Sequence, residues 1–346
     1  MDEVIVETEG SLGRLRLNRP KALNALNHEM VGLIDHALDL FAADRAVTAV
    51  LLTGEGERGL CAGGDLRSLY ENETAVAEAF WRDEYRLDSR ISRYEKPFVA
   101  VMDGITMGGG VGLSDHAAHR IVTERSRIAM PETGIGYLPD VGGTWLLPRA
   151  PGELGTYLGL TGAQIGAADA ILCGLADMFV PSASLPDLVQ ALAGGEDVEA
   201  ALGRLANDPG PAPLAAHRAV IDRCFAFDMV DEIVAALDAD GSDFAAETRA
   251  TLLAKAPSSL VLTLCLLRLG RSAPNLEACL EREFHASLAV LEEGDFREGI
   301  RAAVIDKDKS PRWNPPHLDQ VDPARIARWL ETRAEPVFSR DRTGPV

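Results

Sequence analysis

The chain is poor in the features that announce several large protein classes. Its five cysteines (Cys61, Cys173, Cys224, Cys265 and Cys279) are odd in number, widely spaced and form no CxxC pair. Such a set describes reduced thiols, neither a disulfide framework nor a zinc site. The seven histidines show no HxxxH or HxxxE spacing with a cysteine partner, so no metal is expected. Positive charge is scarce: 34 Lys and Arg stand against 53 Asp and Glu, a formal net charge of −19. Phosphate neutralisation needs a basic face, so no nucleic-acid partner is expected. No apolar run approaches the roughly 18 to 20 residues that span a bilayer, so no membrane partner is expected either. The opening MDEVIVETEG is acidic, with neither the basic n-region of a signal peptide nor the Arg-rich character of a transit peptide. The expected location is cytoplasmic.

What is present is an ordinary globular composition, 47% hydrophobic and 25% charged over 346 residues, enough for one large domain or two ordinary ones. Val4–Val6, a turn at Glu9-Gly10 and the alternation Leu12 to Leu17 read as a hairpin. Asn27 is placed to cap a helix whose apolar face is Met30, Leu33, Ile34, Ala37, Leu38 and Phe41. Buried strands are expected at AVLLTG (49–54) and PFVAVMDG (97–104), with a helix over about 76–93 between them. Two short strands, RIVTE and RIAMPE, and a helix from about Gly142 follow. Strands alternating with helices predict an α/β fold. From about 186 the chain turns Ala- and Asp-rich and helical, which divides it into a core at 1–185 and a helical region at 186–346. Gly194-Gly195 and DPGPAP (208–213) are the boundary or hinge candidates.

Each Gly-rich loop falls at a strand end, where α/β sheets usually place ligands. The most unusual is MGGGVGLS (107–114), with three successive glycines after an apolar run. A dinucleotide fingerprint would need a third glycine at an offset that Gly108, Gly110 and Gly112 do not supply. A P-loop would need G-K-[ST], which is absent. Two readings remain: close helix–strand packing, or backbone N–H groups aimed at a carbonyl as an oxyanion hole. The loop CAGGDL (61–66) offers a second donor at Gly64.

NRPKALNAL (18–26), CAGGDL, ITMGGGVGLS (105–114), AMPETGIGYLPDVGG (129–143) and LTGAQIGAADA (160–170), in that order, resemble the crotonase (enoyl-CoA hydratase/isomerase) superfamily. The resemblance implies a spiral of ββα turns followed by a helical C-terminal region. It implies an acyl-CoA thioester whose oxygen is held by the amides of Gly64 and Gly109. CoA contacts fall at Lys21, Leu23, Asp65 and Leu66. Coenzyme A is then part of the substrate, and no separate cofactor is implied. The superfamily often forms trimers or hexamers, which leaves two alternatives: a homo-oligomer, or an extra C-terminal region that covers the usual interface.

Hydratases of this superfamily carry one glutamate three residues after the oxyanion glycine, where this chain has Gly112, and a second that is kept as Glu132. Eight residues on, where glycine is common, stands Asp140. This redistribution, with the segment 282–313, resembles the hydrolase branch that cleaves short 3-hydroxyacyl-CoA thioesters, 3-hydroxyisobutyryl-CoA being favoured. Glu84 in FWRDEYRLD matches that branch's substrate-binding glutamate. Glu132 is then the base or nucleophile, and Asp140 orients water or shares the proton. The alternatives are a hydratase or isomerase on the same fold, and a silent CoA-binding protein. Blander roles are also open: Glu132 or Asp140 as a cap of a following helix, Glu84 on a solvated helix face, His116 and His119 in packing or on the surface, and Trp145 in the core. No histidine is placed to activate Cys61.

Overall fold

A computed structural model describes residues 2–338. Nine strands follow in chain order: β1 (Val4–Glu9), β2 (Leu12–Leu17), β3 (Ala49–Gly54), β4 (Gly59–Cys61), β5 (Phe98–Met102), β6 (Ile105–Met107), β7 (His119–Val122), β8 (Arg127–Ala129) and β9 (Met178–Phe179). Only the β1–β2 hairpin is antiparallel; it turns at Gly10 with φ +58°. The other pairings are parallel, building a six-stranded sheet in the order β1-β2-β3-β5-β7-β9 and a three-stranded sheet β4-β6-β8. Each turn of the chain lays one strand in each sheet, β3 then β4, β5 then β6, β7 then β8. This is the spiral that the resemblance implied.

The segment 97–104 carries β5 alone, as expected, and β6 begins just beyond it. Between the two lies Gly104, where φ is +86° and a Cβ would stand 2.7 Å from the carbonyl oxygen of Arg58. Only a glycine lets β6 start so close to the chain leading into β4. The continuous apolar character of β3 and β5 has a simple cause, because both faces of the large sheet are covered. Leu15, Val50, Leu52, Phe98, Ala100 and Val122 face the main core, together with Ile34, Leu38 and Phe41. Leu12, Leu51, Val99, Val101 and Ile121 face a second apolar layer on the other side.

In the first half, α1 (His28–Ala43) begins at Asn27, whose side chain accepts from Met30 N–H at 2.9 Å. α2 (Leu66–Glu71), α3 (Thr74–Ile91), α4 (Gly109–Asp115), α5 (Gly143–Leu146), α6 (Leu154–Thr161) and α7 (Ala167–Leu172) follow. The expected helix at Gly142 is α5, a single turn continued by a 3-10 turn over Leu147–Arg149. Trp145 on it is half-buried, packed against the main core on one side and against the Arg149 guanidinium on the other, with Thr144 and Leu147 buried beside it.

Beyond residue 185 come α8 (Leu185–Ala193), α9 (Val198–Leu205), α10 (Arg218–Cys224), α11 (Val230–Asp240), α12 (Asp243–Leu253), α13 (Pro257–Gly270), α14 (Leu276–Glu293), α15 (Phe296–Ile300) and α16 (Pro323–Trp329). α8 and α9 supply Leu188, Leu192, Val198, Ala201 and Leu202 to the outer layer of the large sheet, turning between them at Gly195. α10 to α16 join the main core, which runs without a break from Val4 to Val337. Residues 208–213 lie in the connection between α9 and α10, with Pro213 opening a 3-10 turn over Pro213–His217. Among the described residues, no single helix is long and apolar enough to cross a membrane.

Candidate active site

One cavity of about 80 Å³ is lined by Gly64, Glu84, Gly109, Glu132 and Asp140, together with Leu66. These residues come from α3, α4, the CAGGDL loop and the loop after β8. The sequence motifs were therefore separate approaches to one point in space.

The glycines have distinct reasons to be glycine. Gly108 has φ +48°, a conformation few side chains adopt, and caps α4. A Cβ on Gly109 would stand 2.6 Å from Glu84 Oε1 and 3.6 Å from Gly64 N, so the two amides lie together at the cavity wall. A Cβ on Gly110 would meet the Cys61 carbonyl oxygen at 2.5 Å, a helix-to-strand packing requirement. Packing and substrate access are both at work, at neighbouring residues. A Cβ on Gly112 would stand 2.6 Å from the Val141 Cβ and 3.0 Å from Asp88 Oδ2. The place of a hydratase glutamate is already filled.

Glu84 is only 2% exposed, so the solvated-face alternative fails. It lies on the buried stripe of α3 with Ala77, Phe80, Trp81, Tyr85 and Asp88. Burial pushes its carboxyl well up, and the neighbouring Asp140 and Asp88 add to the effect. Glu132 opens a 3-10 turn over Glu132–Ile135 but caps nothing. Its Oε2 is buried and without a hydrogen-bond partner. Burial, then Asp140, push it well above the ordinary carboxylate range.

Asp140 is held differently. Its Oδ2 accepts from the Tyr85 hydroxyl at 2.8 Å and the Tyr137 hydroxyl at 3.0 Å. Tyr137 lies 2.6 Å from the Ser287 hydroxyl, and Tyr85 3.3 Å from it. Burial raises the Asp140 carboxyl to about 6, against the two donated hydrogen bonds that lower it. It does not cap α5. That task falls to Glu283 of α14, whose carboxylate accepts from Gly142 N–H at 2.8 Å and Thr144 N–H at 2.9 Å. Burial lifts Glu283 to about 7.

Immediately after Asp140, Val141 has φ +50°, a strained conformation for a β-branched residue. His116 holds it there, its Nε2 lying 2.8 Å from the Val141 carbonyl oxygen. Burial pushes His116 down to about 4, so the ring is neutral and its N–H donates. His116 is thus a packing residue that fixes the loop. Cys61 is fully buried and pushed up to about 12, which rules out a thiolate nucleophile.

Sequence reasoning missed Tyr85, Tyr137, Ser287 and Phe296. Tyr85 lies in the FWRDEYRLD segment, and Ser287 and Phe296 in the 282–313 segment, so their motifs were noticed without their roles. Tyr137 stacks between Trp81, at 5.8 Å between ring centroids, and Phe296, at 4.3 Å. These rings wall the cavity on the side of the C-terminal helices.

The CoA-contact positions lie nearby with mixed fates. Leu66 lines the cavity. Leu23 is half-buried, and its carbonyl accepts from Ala62 N–H at 3.1 Å, which stitches 19–27 to the CAGGDL loop. Asp65 caps α2 through Ser68 N–H at 3.2 Å and pairs with Arg19 at 2.9 Å. Lys21 is exposed beside that loop. No cluster of three or more His, Cys, Asp or Glu that could hold a metal occurs among the described residues.

Two parallel sheets wound as a spiral, with paired glycine amides and buried carboxyls in one pocket, define an acyl-CoA enzyme of the crotonase kind. The chain belongs to the enoyl-CoA hydratase/isomerase family, whose model matches residues 12–330. Among curated relatives it is 41% identical over 332 residues to "3-hydroxyisobutyryl-CoA hydrolase, mitochondrial" of Xenopus tropicalis, covering 92% of this chain and 86% of that one. The Homo sapiens protein of the same name is 40% identical over 334 residues, at 92% and 86% coverage. Among solved structures, a carnitinyl-CoA dehydratase from Mycobacterium thermoresistibile superposes with TM-score 0.94 and 43% identity, covering 99% of this chain and 100% of that one. An enoyl-CoA hydratase from Rhodobacter sphaeroides gives TM-score 0.88 and 45% identity, at 95% and 97% coverage.

Proposed function

We propose that the protein hydrolyses short 3-hydroxyacyl-CoA thioesters, with 3-hydroxyisobutyryl-CoA the favoured substrate, yielding 3-hydroxyisobutyrate and CoA in valine catabolism. The relatives' names divide between hydrolysis and hydration or dehydration, and the carboxyls choose between them. Hydration across a double bond uses a carboxyl at the position of Gly112, and Val141 and Asp88 occupy the space it would need. Asp140, held by two tyrosines, stands beside Glu132 instead.

In this reading the Gly64 and Gly109 amides hold the thioester oxygen and stabilise the charge that develops on it. Glu132 delivers the oxygen, either by taking a proton from water as that water attacks or by attacking first and being released by water. Both routes consume one water, break the C–S bond and release the acid and the CoA thiol. With a thiol pKa of about 8.5, the thiolate leaves without assistance. Asp140 orients the water or shares the proton, and Glu84 binds the 3-hydroxyl. CoA enters as part of the substrate, with Lys21, Leu23, Asp65 and Leu66 along its approach.

Thiol release from a panel of acyl-CoAs, set against loss of the enoyl absorbance of crotonyl-CoA, tests this. Release from 3-hydroxyisobutyryl-CoA is expected to exceed crotonyl-CoA hydration by orders of magnitude; the reverse ordering replaces the hydrolase by the hydratase. Glu84→Ala is expected to lower kcat/KM roughly 10- to 150-fold on the hydroxylated substrate, and much less on isobutyryl-CoA. Cytoplasmic residence belongs to the same proposal. The relatives are labelled mitochondrial, and cell fractionation distinguishes the two.

A further inference from the structure

Lysine is rare in this chain: Lys21, Lys96, Lys255, Lys307 and Lys309 are the only five. Lys255 lies in the short connection between α12 and α13, and that connection is tied to the turn carrying Glu132. Ala256 N–H donates to the Thr133 carbonyl at 3.2 Å. The Lys255 ammonium lies against the same turn, since a Cβ on Gly134 would stand 3.3 Å from its Nζ. Lys255 is half-buried, and Glu132 is the charged group that acts on it.

The other charged groups around Glu132 are acidic. Asp140 follows the turn, and Glu84 faces it from α3 across the cavity. Asp88 and Glu283 stand behind Asp140 and repel its charge or share it. Asp295, which packs against Gly136 at the far end of the turn, is occupied by Asn314 N–H, at 3.0 Å from each oxygen. Glu132 Oε2 has no hydrogen-bond donor. A carboxyl so placed takes up a proton unless a cation opposes the burial and the neighbouring acids.

We infer that Lys255 is a positioning residue for the reaction: its ammonium, set against the Glu132 turn, is the counter-charge that favours the Glu132 carboxylate, the form able to deliver the oxygen. The inference rests on the role given to Glu132 above. It also assigns the α12–α13 junction a part in the site, although it contributes no wall to the cavity. Burial disfavours the charged form of both Glu132 and Lys255, and each supports the other's charge.

The sign follows directly. Removing the cation raises the Glu132 pKa, so activity that needs the carboxylate is lost at a higher pH. Lys255→Met is expected to move the acid limb of kcat/KM upward, a loss of about tenfold on that limb that fades on its alkaline side. Lys255→Arg is expected to restore the wild-type limb, with KM little changed in either variant. Lys255→Gln serves as the neutral replacement if the methionine variant fails to fold, as judged by thermal melting. An unmoved acid limb overturns the inference. So does a raised KM with the limb in place, which would make Lys255 a contact for the CoA phosphates, and so does a shift that arginine fails to reverse. Glu132→Gln separates the two layers. If it keeps near-normal turnover, the role of Glu132 fails; if it is inactive while Lys255→Met leaves the limb unmoved, only the present inference fails.

Discussion

At the scale of single residues, the site is defined as much by what is excluded as by what is present. Gly112 shows this best. The sequence reveals a missing glutamate, and the structure supplies the reason: Val141 and Asp88 already fill the volume. Asp88 is fully buried with neither oxygen hydrogen-bonded, and burial pushes its carboxyl well up. Restoring the hydratase glutamate is therefore expected to fail. Gly112→Glu overpacks α4 against α3 and the Asp140 loop, at a cost of about 1–3 kcal/mol or more. The expected outcome is a lower urea midpoint and no gain in crotonyl-CoA hydration. A stable variant that hydrates crotonyl-CoA would show that the space was available after all.

At the scale of elements, α3 and α14 hold the reactive loop from two sides. α3 sends Glu84 and Tyr85 into the site on successive positions of its buried stripe. α14 sends Glu283 to cap α5, while Ser287, one turn later, meets both tyrosine hydroxyls. Such a cap and such a network convert helix packing into a fixed carboxylate position. The tyrosines also set its charge. Each hydroxyl donates to Asp140 and favours the ionised form, so losing one raises the pKa from about 6. Tyr85→Phe and Tyr137→Phe are each expected to move the acid limb of kcat/KM upward by about one unit, with turnover near pH 8 much less affected. An unchanged profile in both would remove Asp140 from the proton inventory of the reaction.

The whole molecule makes a site from a spiral and a cover. The ββα spiral brings the glycine loops and the Glu132–Asp140 loop to one place. The cover, α14 and α15, adds Ser287, Glu283 and Phe296 and closes the aromatic wall. Because the main core runs from Val4 to Val337, the division near residue 185 marks a change of architecture across a continuous interior. A protein truncated after residue 185 would expose the outer layer that α8 and α9 cover and leave the Gly142 and Thr144 amides uncapped. It is expected to be inactive and to aggregate, read by light scattering and thiol release. A soluble, active fragment would contradict the shared core.

Much of this was legible in the sequence, for local reasons. Hydrophobic alternation located β1 and β2, the Asn27 cap began α1 where expected, and the glycine and MPET motifs named five residues that line one cavity. These features depend on backbone sterics and on neighbours a few positions away, which a sequence displays directly. Other features were decided only by the tertiary structure. The close approach of Gly104 to Arg58, which lets β6 start beside the chain leading into β4, is one of them. The α5 amides are capped by Glu283 of α14 and Asp140 is held in part by Tyr85 of α3, so no local cap rule could assign them. Glu84 sits in a stretch crowded with acids, and the packing of α3 against α4 at Gly109 and its other neighbours buries it. The sequence determined which residues could do the chemistry. Their protonation depends on burial and on neighbours from distant segments, and that only the folded chain decides.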